Sequence, residues 1–332
     1  MAEIVTVSNL IDFIREIQES MHSPPVLLKD TEQVMNVNIS DISPAIIERG
    51  KEYVAALLSE KRHDKPKKQE HRRFYRGHYS THYDLVPSAF RGHNWGREDY
   101  YYHEIAVRSP EFFQGKTHLD KLVTMQHYEC PTRLLDITSN PLVALFFACM
   151  NYGCKKCDAS AEGVVYIFDE PSTNVVYADS DRSLMLACLA RFSEADKMKM
   201  YELASLRIGE AGFEKKGGNG GYKDVLIEKL FHEIAREVPA FKREIKPLDL
   251  LKPLFVQPNR TNMRIAKQDG AFILSGLCEN VAEAQTKLEL CVHKKIHVVN
   301  QDGILRELEQ LGIHEASLFP ELDKVAHYLK TR

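Results

Sequence analysis

The 332-residue sequence predicts an α+β fold. Short apolar runs bounded by turn residues read as strands, Gly163 to Phe168 being the clearest. Between them lie segments whose apolar residues recur at helical spacing. The two kinds alternate irregularly rather than as a regular βαβ array, and the chain has no internal repeat, no G-x-G-x-x-G turn and no Walker A loop.

The elements follow in order. Residues 9 to 20 read as a helix, with Asn9 as cap and Leu10, Phe13, Ile14 and Ile17 on one face. A second helix starts at Ser43-Pro44, a cap followed by proline at the first helical position, and runs to about Leu58. The charged stretch from Lys61 to Glu70 has no apolar face and reads as a linker, so residues 1–69 form a helical N-terminal extension ahead of a main domain at 70–332. Phe74 and Tyr75 make a short strand ending at Gly77. After a tyrosine-rich polar region come a helix from Thr117 to Tyr128, a strand from Arg133 to Ile137, a helix from Leu142 to Met150 and the strand at Gly163. Helical stretches at 181–208 and 223–236 flank a Gly-rich linker. Strands return around Ile265, at Ala271–Leu274 and at Lys295–Val299, and helices at 301–311 and 317–330 close the chain.

Composition bounds the function classes. No apolar run approaches the roughly 18–20 residues that span a bilayer, the longest being Leu142 to Met150, and the N-terminus lacks the pattern of a secretory signal. A cytoplasmic protein without membrane association is expected. Seven cysteines at irregular spacings argue against a disulfide framework, and the C-x-x-C at Cys154–Cys157 has no second ligand pair, so no metal is expected. The formal net charge of −3 makes the chain no general polyanion binder, although Lys61, Arg62, Lys65, Lys67, Lys68, Arg72 and Arg73 form a basic stretch that reads as a solvated linker or a phosphate-attracting rim.

Two clusters carry chemistry. Phe74-Tyr75-Arg76-Gly77-His78 places a guanidinium at a strand end, suited to bidentate phosphate recognition, beside a glycine that admits a close approach to the backbone. In the second, from Met125 to Ala148, Gln126, His127, Tyr128, Thr132, Arg133, Asp136, Thr138 and Ser139 crowd between two apolar helices, more donors and acceptors than packing requires. Asn140 and Pro141 form a helix cap and first turn, which puts Ser139 at a helix N-terminus, a setting that favours anionic ligands. Arg133 and Asp136 read as a buried ion pair, and the Tyr100–Tyr102 run as helix packing.

These residues resemble the FRG domain family, a bacterial and phage-associated domain named for a Phe-Arg-Gly motif. The resemblance rests on Arg76-Gly77, on Gln126-His127-Tyr128, on Pro131 to Asp136, and on Asn140-Pro141 with Ala144 and Phe147-Ala148. It continues in Arg264-Ile265 with Gln268, Gly270 and Phe272, and in Gly312-Ile313 with Leu318 to Asp323, covering roughly residues 70 to 330. Tyr75 departs from the family's phenylalanine, with Phe74 adjacent, and residues 22–70 and 181–230 look like additions.

Aromatic-Arg-Gly closing one strand, then Thr138-Ser139-Asn140-Pro141 following another, is also similar to the Arg and Ser-Thr-Ser motifs of ADP-ribosyltransferases. That similarity implies a split mixed sheet with surrounding helices and an NAD⁺ cleft. Arg76 and Gly77 would then hold the nucleotide, Thr138 and Ser139 would lie by the nicotinamide ribose, and Gln126, His127 and Tyr128 would pack on or hydrogen-bond it, with Arg76, Ser139, His127 and Gln268 as the catalytic candidates. No Glu-x-Glu stands on the late strand, and the third catalytic role falls to Gln268, Asp269, Asp136 or Glu244. The implied activity is transfer of ADP-ribose from NAD to a macromolecule, with nucleic acid ahead of protein, in a toxin or anti-phage effector restrained by an antitoxin or chaperone partner. A nuclease, an NAD⁺ glycohydrolase, or a nucleotide-sensing module without catalysis are the alternatives.

Overall fold

The computed structural model describes residues 3–22, 70–151, 162–215, 221–260 and 262–331. Among the described residues one eight-stranded sheet organises the chain. Its strands are β1 (Glu3–Val7), β2 (His71–His78), β3 (Leu134–Thr138), β4 (Gly163–Pro171), β5 (Val175–Tyr177), β6 (Leu254–Gln257), β7 (Gly270–Leu274) and β8 (Val292–Val298), in the order β1-β8-β4-β2-β3-β7-β6-β5. The β1–β8 and β5–β6 pairs are parallel and the others antiparallel, so the sheet is mixed. The helices are α1 (Leu10–His22), α2 (Glu98–Arg108), α3 (His118–His127), α4 (Pro141–Cys149), α5 (Asp181–Cys188), α6 (Glu194–Leu206), α7 (Val225–Glu237), α8 (Pro247–Leu251), α9 (Met263–Lys267), α10 (Val281–Glu289), α11 (Gln301–Gln310), α12 (Glu315–Leu318) and α13 (Leu322–Thr331). None of them is long and apolar enough to cross a membrane.

Strand alternation divides the core between two faces. On the first face, Val7, Tyr75, Val165, Ile167, Ile296 and Val298 pack against Phe13 and Ile17 of α1, Ala144 and Ala148 of α4, and Ile304 and Leu308 of α11. Farther along it, Leu134, Val256, Phe272 and Leu274 meet Leu122 and Met125 of α3 and the α5–α8 helices. The opposite face carries Phe74, Leu135, Ile137, Tyr166, Phe168, Phe255 and Ile273, covered by Leu85 and by Leu288 of α10.

The fit of α4 onto the first face depends on two glycines. A Cβ on Gly77 would lie 1.9 Å from the Ala144 carbonyl oxygen, and one on Gly163 would lie 2.3 Å from that of Ala148. The helix meets these strands with alanines spaced one turn apart, so its backbone rests almost directly on theirs. Gly77 therefore makes room for a helix, and that room is not open to a ligand.

Several sequence expectations change in the structure. The N-terminal extension is not helical throughout: residues 3–7 are an edge strand paired with β8, and α1 is held to the sheet by Lys294–Glu16 at 2.9 Å. The helix expected from Ser43 to Leu58 and the residues of the C-x-x-C lie outside the described residues. Ile265 sits in a helix, because Asn262 caps α9 by accepting from the Arg264 N–H at 2.8 Å, and the neighbouring strand begins only at Gly270, after Asp269 at φ 46°. The 181–208 stretch breaks at Ser193, which caps α6, and the closing helix breaks at Phe319-Pro320-Glu321 because proline cannot continue α12. Strands β1, β5 and β6 and helix α10 were not apparent from periodicity.

Gly77→Ala is expected to cost about 3 kcal/mol of stability in urea unfolding, since the added methyl meets helix backbone that cannot rotate away. Gly270→Ala, whose Cβ would find nothing closer than 3.5 Å, serves as the tolerated comparison.

Candidate functional site

The sheet is weakest between β2 and β3. Strand β2 pairs with β4 along its full length, from His71↔Pro171 to His78↔Val164, but with β3 only at Tyr75↔Thr138. Beyond that pair the two strands form no further ladder pair, although the eight strands remain one sheet. Arg76, on the same strand face as Phe74 and His78, reaches into the gap: its Nη1 donates to the Asp136 carbonyl at 2.5 Å, where a ladder bond would otherwise form. Its Nε donates to His78 Nε2 at 2.8 Å. Among the described residues Nη2 takes no hydrogen bond, which leaves one edge of a half-buried guanidinium unused.

The surroundings of that guanidinium are unusual. Burial pulls Arg76 down to about 10, opposed by the Asp136 carboxylate and reinforced by Arg91. It stays charged at neutral pH. Burial, then Arg76 and Arg91, holds His78 well below the usual imidazole range, so it is neutral and its Nε2 accepts the hydrogen bond from Arg76 Nε. Arg91 donates through Nε and Nη2 to the Val86 carbonyl at 3.0 and 2.7 Å and feels the carboxylates of Asp136 and Asp84. Tyr166, the cross-strand neighbour of Arg76, stacks edge-on against His78 at 5.2 Å and is pushed up to about 12, mainly by burial. The charge of Arg91 is thus felt at both Arg76 and His78.

The closed end is assembled from two segments far apart in sequence. Thr138 Oγ1 donates to the Gln268 carbonyl at 2.6 Å and accepts from the Asn140 N–H at 2.9 Å. The Ser139 N–H donates to the Asp269 carbonyl at 3.0 Å, and its hydroxyl, exposed, lies 3.4 Å from the same oxygen. Asn140 caps α4 as its sequence implied, accepting from the Leu142 N–H at 3.0 Å. Gln268 and Asp269 therefore stand beside Ser139. The Gln268 side-chain amide is already engaged, donating to the Leu318 carbonyl at 3.2 Å, and Asp269 pairs with Arg260 at 3.4 Å.

Other candidates fall into place around this centre. The Gln126 amide oxygen accepts from the Thr132 hydroxyl, a contact that fixes the loop before β3. His127 ends α3, with its ring 4.9 Å from that of exposed Tyr128, which in turn lies edge-on to Phe112 at 5.6 Å. Glu244 lies away from the seam, in the Tyr222–Arg243 neighbourhood of the large helical cluster. Arg133 does not pair with Asp136. The two are three residues apart on an extended segment and point to opposite faces, so Asp136 is exposed while Arg133 is buried. Arg133 instead grips Glu98 of α2 with Nε and Nη2 at 2.8 and 2.6 Å, and Lys197 of α6 adds a third charge at 3.0 Å. Of the basic stretch, Arg73 pairs with Asp169 at 3.2 Å and Arg72 with Gln257 at 2.8 Å; its lysines lie outside the described residues. Arg91 and Glu98 were missed in the sequence, because lone charged residues in loops and helix starts carry no spacing signal; Glu321 stood within the Leu318 to Asp323 resemblance but was given no role.

Residues 71–156 match the FRG domain family model, a stretch that opens at β2, runs through α4 and contains Arg76, the Gln126–Tyr128 segment and Thr138–Pro141. No curated protein matches the chain. No solved structure matches it either.

The buried trio yields a stability test. Arg133 and Lys197 hold the Glu98 carboxyl at about 2 against the opposing effect of burial, the larger single influence. A carboxylate depressed in this way stabilises the fold fully above its unfolded value near 4.5, and that stability is lost as pH falls toward 2. Glu98→Gln is expected to lose roughly 3–5 kcal/mol in urea unfolding at pH 7, because two buried cations lose their carboxylate. The variant is also expected to lose the wild type's steep decline in stability between pH 4.5 and 2.

Proposed function

Starting from the FRG domain at residues 71–156, we propose that this protein binds NAD⁺ across the β2–β3 seam and transfers its ADP-ribose to a macromolecule, releasing nicotinamide. The observation that carries this reading is the parted sheet itself. One strand brings a charged, half-buried arginine with an unused edge, and the next ends in an exposed serine beside Gln268-Asp269.

In this reading Arg76 and Arg91 hold the pyrophosphate, the free edge of Arg76 supplying charge-assisted hydrogen bonds. Ser139, presented at the start of α4, lies by the nicotinamide ribose, and Tyr128 offers a ring face to one of the bases. The work asked of the protein is mainly positional and electrostatic: holding C1′ of the ribose in reach of an acceptor while positive charge develops on it. Asp136, exposed beside Arg76 and without a side-chain partner among the described residues, can face that charge. Arg76 and Arg91, together with the lysines of the basic stretch, keep nucleic acid ahead of protein as acceptor, and a toxin or anti-phage role is the setting we propose.

One observation favours a second reading, a nucleotide-sensing module without turnover. No carboxylate stands on β7 where the transferases keep theirs, and the amide of Gln268 is bonded to the C-terminal segment.

Incubating the purified chain with NAD⁺ and cell extract separates the two. Nicotinamide release with label on macromolecules supports transfer; tight NAD⁺ binding with no release supports the sensor. Arg76→Ala is expected to weaken NAD⁺ binding by roughly 10–100-fold, the equivalent of about 1.5–3 kcal/mol for hydrogen bonds to a charged group, measured by calorimetry. Unchanged affinity in that variant would remove Arg76 from the site.

A further inference from the structure

Strand β7 carries no acid, and the structure brings one from the C-terminal segment to His127 in the FRG stretch. Residues Leu318 to Glu321 cross between α12 and α13 and are fixed at several points. The Gln268 amide donates to the Leu318 carbonyl at 3.2 Å, the Arg264 guanidinium lies over the Phe319 ring at 4.7 Å, and Phe147 of α4 meets that ring edge-on at 6.0 Å. Pro320 ends the preceding helix and turns the chain so that Glu321 faces His127 at the end of α3, with Oε1 3.9 Å from Nδ1.

That spacing is too long for a hydrogen bond. The His127 Nδ1 atom and the Glu321 Oε2 atom are each shielded from solvent and have no hydrogen-bond partner among the described residues. Two such groups left unsatisfied are costly in a purely structural contact. With Nδ1 facing the carboxylate and the side chain about one quarter exposed, a small approach of the two groups would form the hydrogen bond by which a carboxylate fixes the tautomer and leaves Nε2 to act as a base. Catalytic hydrogen bonds of this kind are often long without substrate and tighten when it binds. The pair is also linked to the proposed ribose site, since Thr138 bonds the Gln268 carbonyl and the Gln268 side chain bonds Leu318, three residues before Glu321.

We propose that His127 is the general base for the acceptor and that Glu321 positions it, an inference that rests on the NAD⁺ reading above. The acceptor's O–H or N–H attacks C1′ of the nicotinamide ribose, and a new bond forms there as the C1′–nitrogen bond breaks. The bonding pair leaves with nicotinamide, which departs neutral, and the acceptor's proton passes to His127 Nε2 and then to solvent.

The test is steady-state kinetics of nicotinamide release and macromolecular labelling with the full chain. His127→Ala is expected to lower kcat on the order of 10²-fold or more, with KM for NAD⁺ within about twofold of wild type. Glu321→Gln is expected to lower kcat less, with Glu321→Asp restoring part of it. Azide needs no deprotonation, so it should restore nicotinamide release in His127→Ala by forming ADP-ribosyl azide, whereas a merely misfolded variant would not respond. Wild-type turnover with kcat unchanged in both His127→Ala and Glu321→Gln would overturn the pair and leave the NAD⁺ reading standing. Absence of NAD⁺ turnover in the wild type would overturn both. Loss of kcat in His127→Ala that azide does not relieve would assign His127 a structural role and also overturn the proposal.

Discussion

The candidate site depends on how closely the backbone of α4 approaches Gly77. With hydrogen as its only side chain, Gly77 lets the Ala144 carbonyl sit where a methyl would be, and Gly163 does the same for Ala148 one turn later. The helix is thereby seated on β2 and β4, and its first turn, capped by Asn140, fixes where β3 must end. Strand alternation does the rest: with Gly77 turned toward the helix, Arg76 is turned to the other face and into the gap between β2 and β3. The glycine and the arginine of this motif therefore have separate duties. One sets the packing; the other closes a split in the sheet while keeping part of its guanidinium unused.

Much of this was legible in the sequence because it is local. Asn140-Pro141 is a cap and first turn wherever it occurs, and the apolar runs at Leu134, Gly163 and Ala271 identified three of the central strands. The candidate site residues stood out as a crowd of donors and acceptors between two apolar helices, and several of them, Gln126, Arg133 and Thr138, hold neighbouring segments in place. What could not be read was partnership. Arg133 and Asp136 looked like a pair by proximity in sequence, yet the twofold period of a strand separates them, and the partner of Arg133 is Glu98, 35 residues earlier. Gln126 and Thr138 similarly bond neighbouring backbone and side chains, contacts that only the folded chain brings together.

The same limit hid how the C-terminal segment reaches His127. A closing helix over 317–330 was the natural reading of its periodicity, which passed over the break at Pro320 within it. The fold uses that break to bring Glu321 to His127, 194 residues away in sequence, through contacts with Gln268, Arg264 and Phe147. Likewise β1 went unread because a five-residue edge strand gains its meaning from β8, to which it pairs, and carries little pattern of its own.

The central claim is that the parted seam between β2 and β3 is where nucleotide binds, and deuterium exchange in the presence and absence of NAD⁺ tests it most directly. Amides along the seam lack ladder partners beyond Tyr75↔Thr138 and should exchange readily in the free protein. The expected result is slower exchange with NAD⁺ in peptides covering residues 71–91 and 126–141. Unaltered exchange in those peptides, with protection appearing elsewhere, such as along α7, would contradict it.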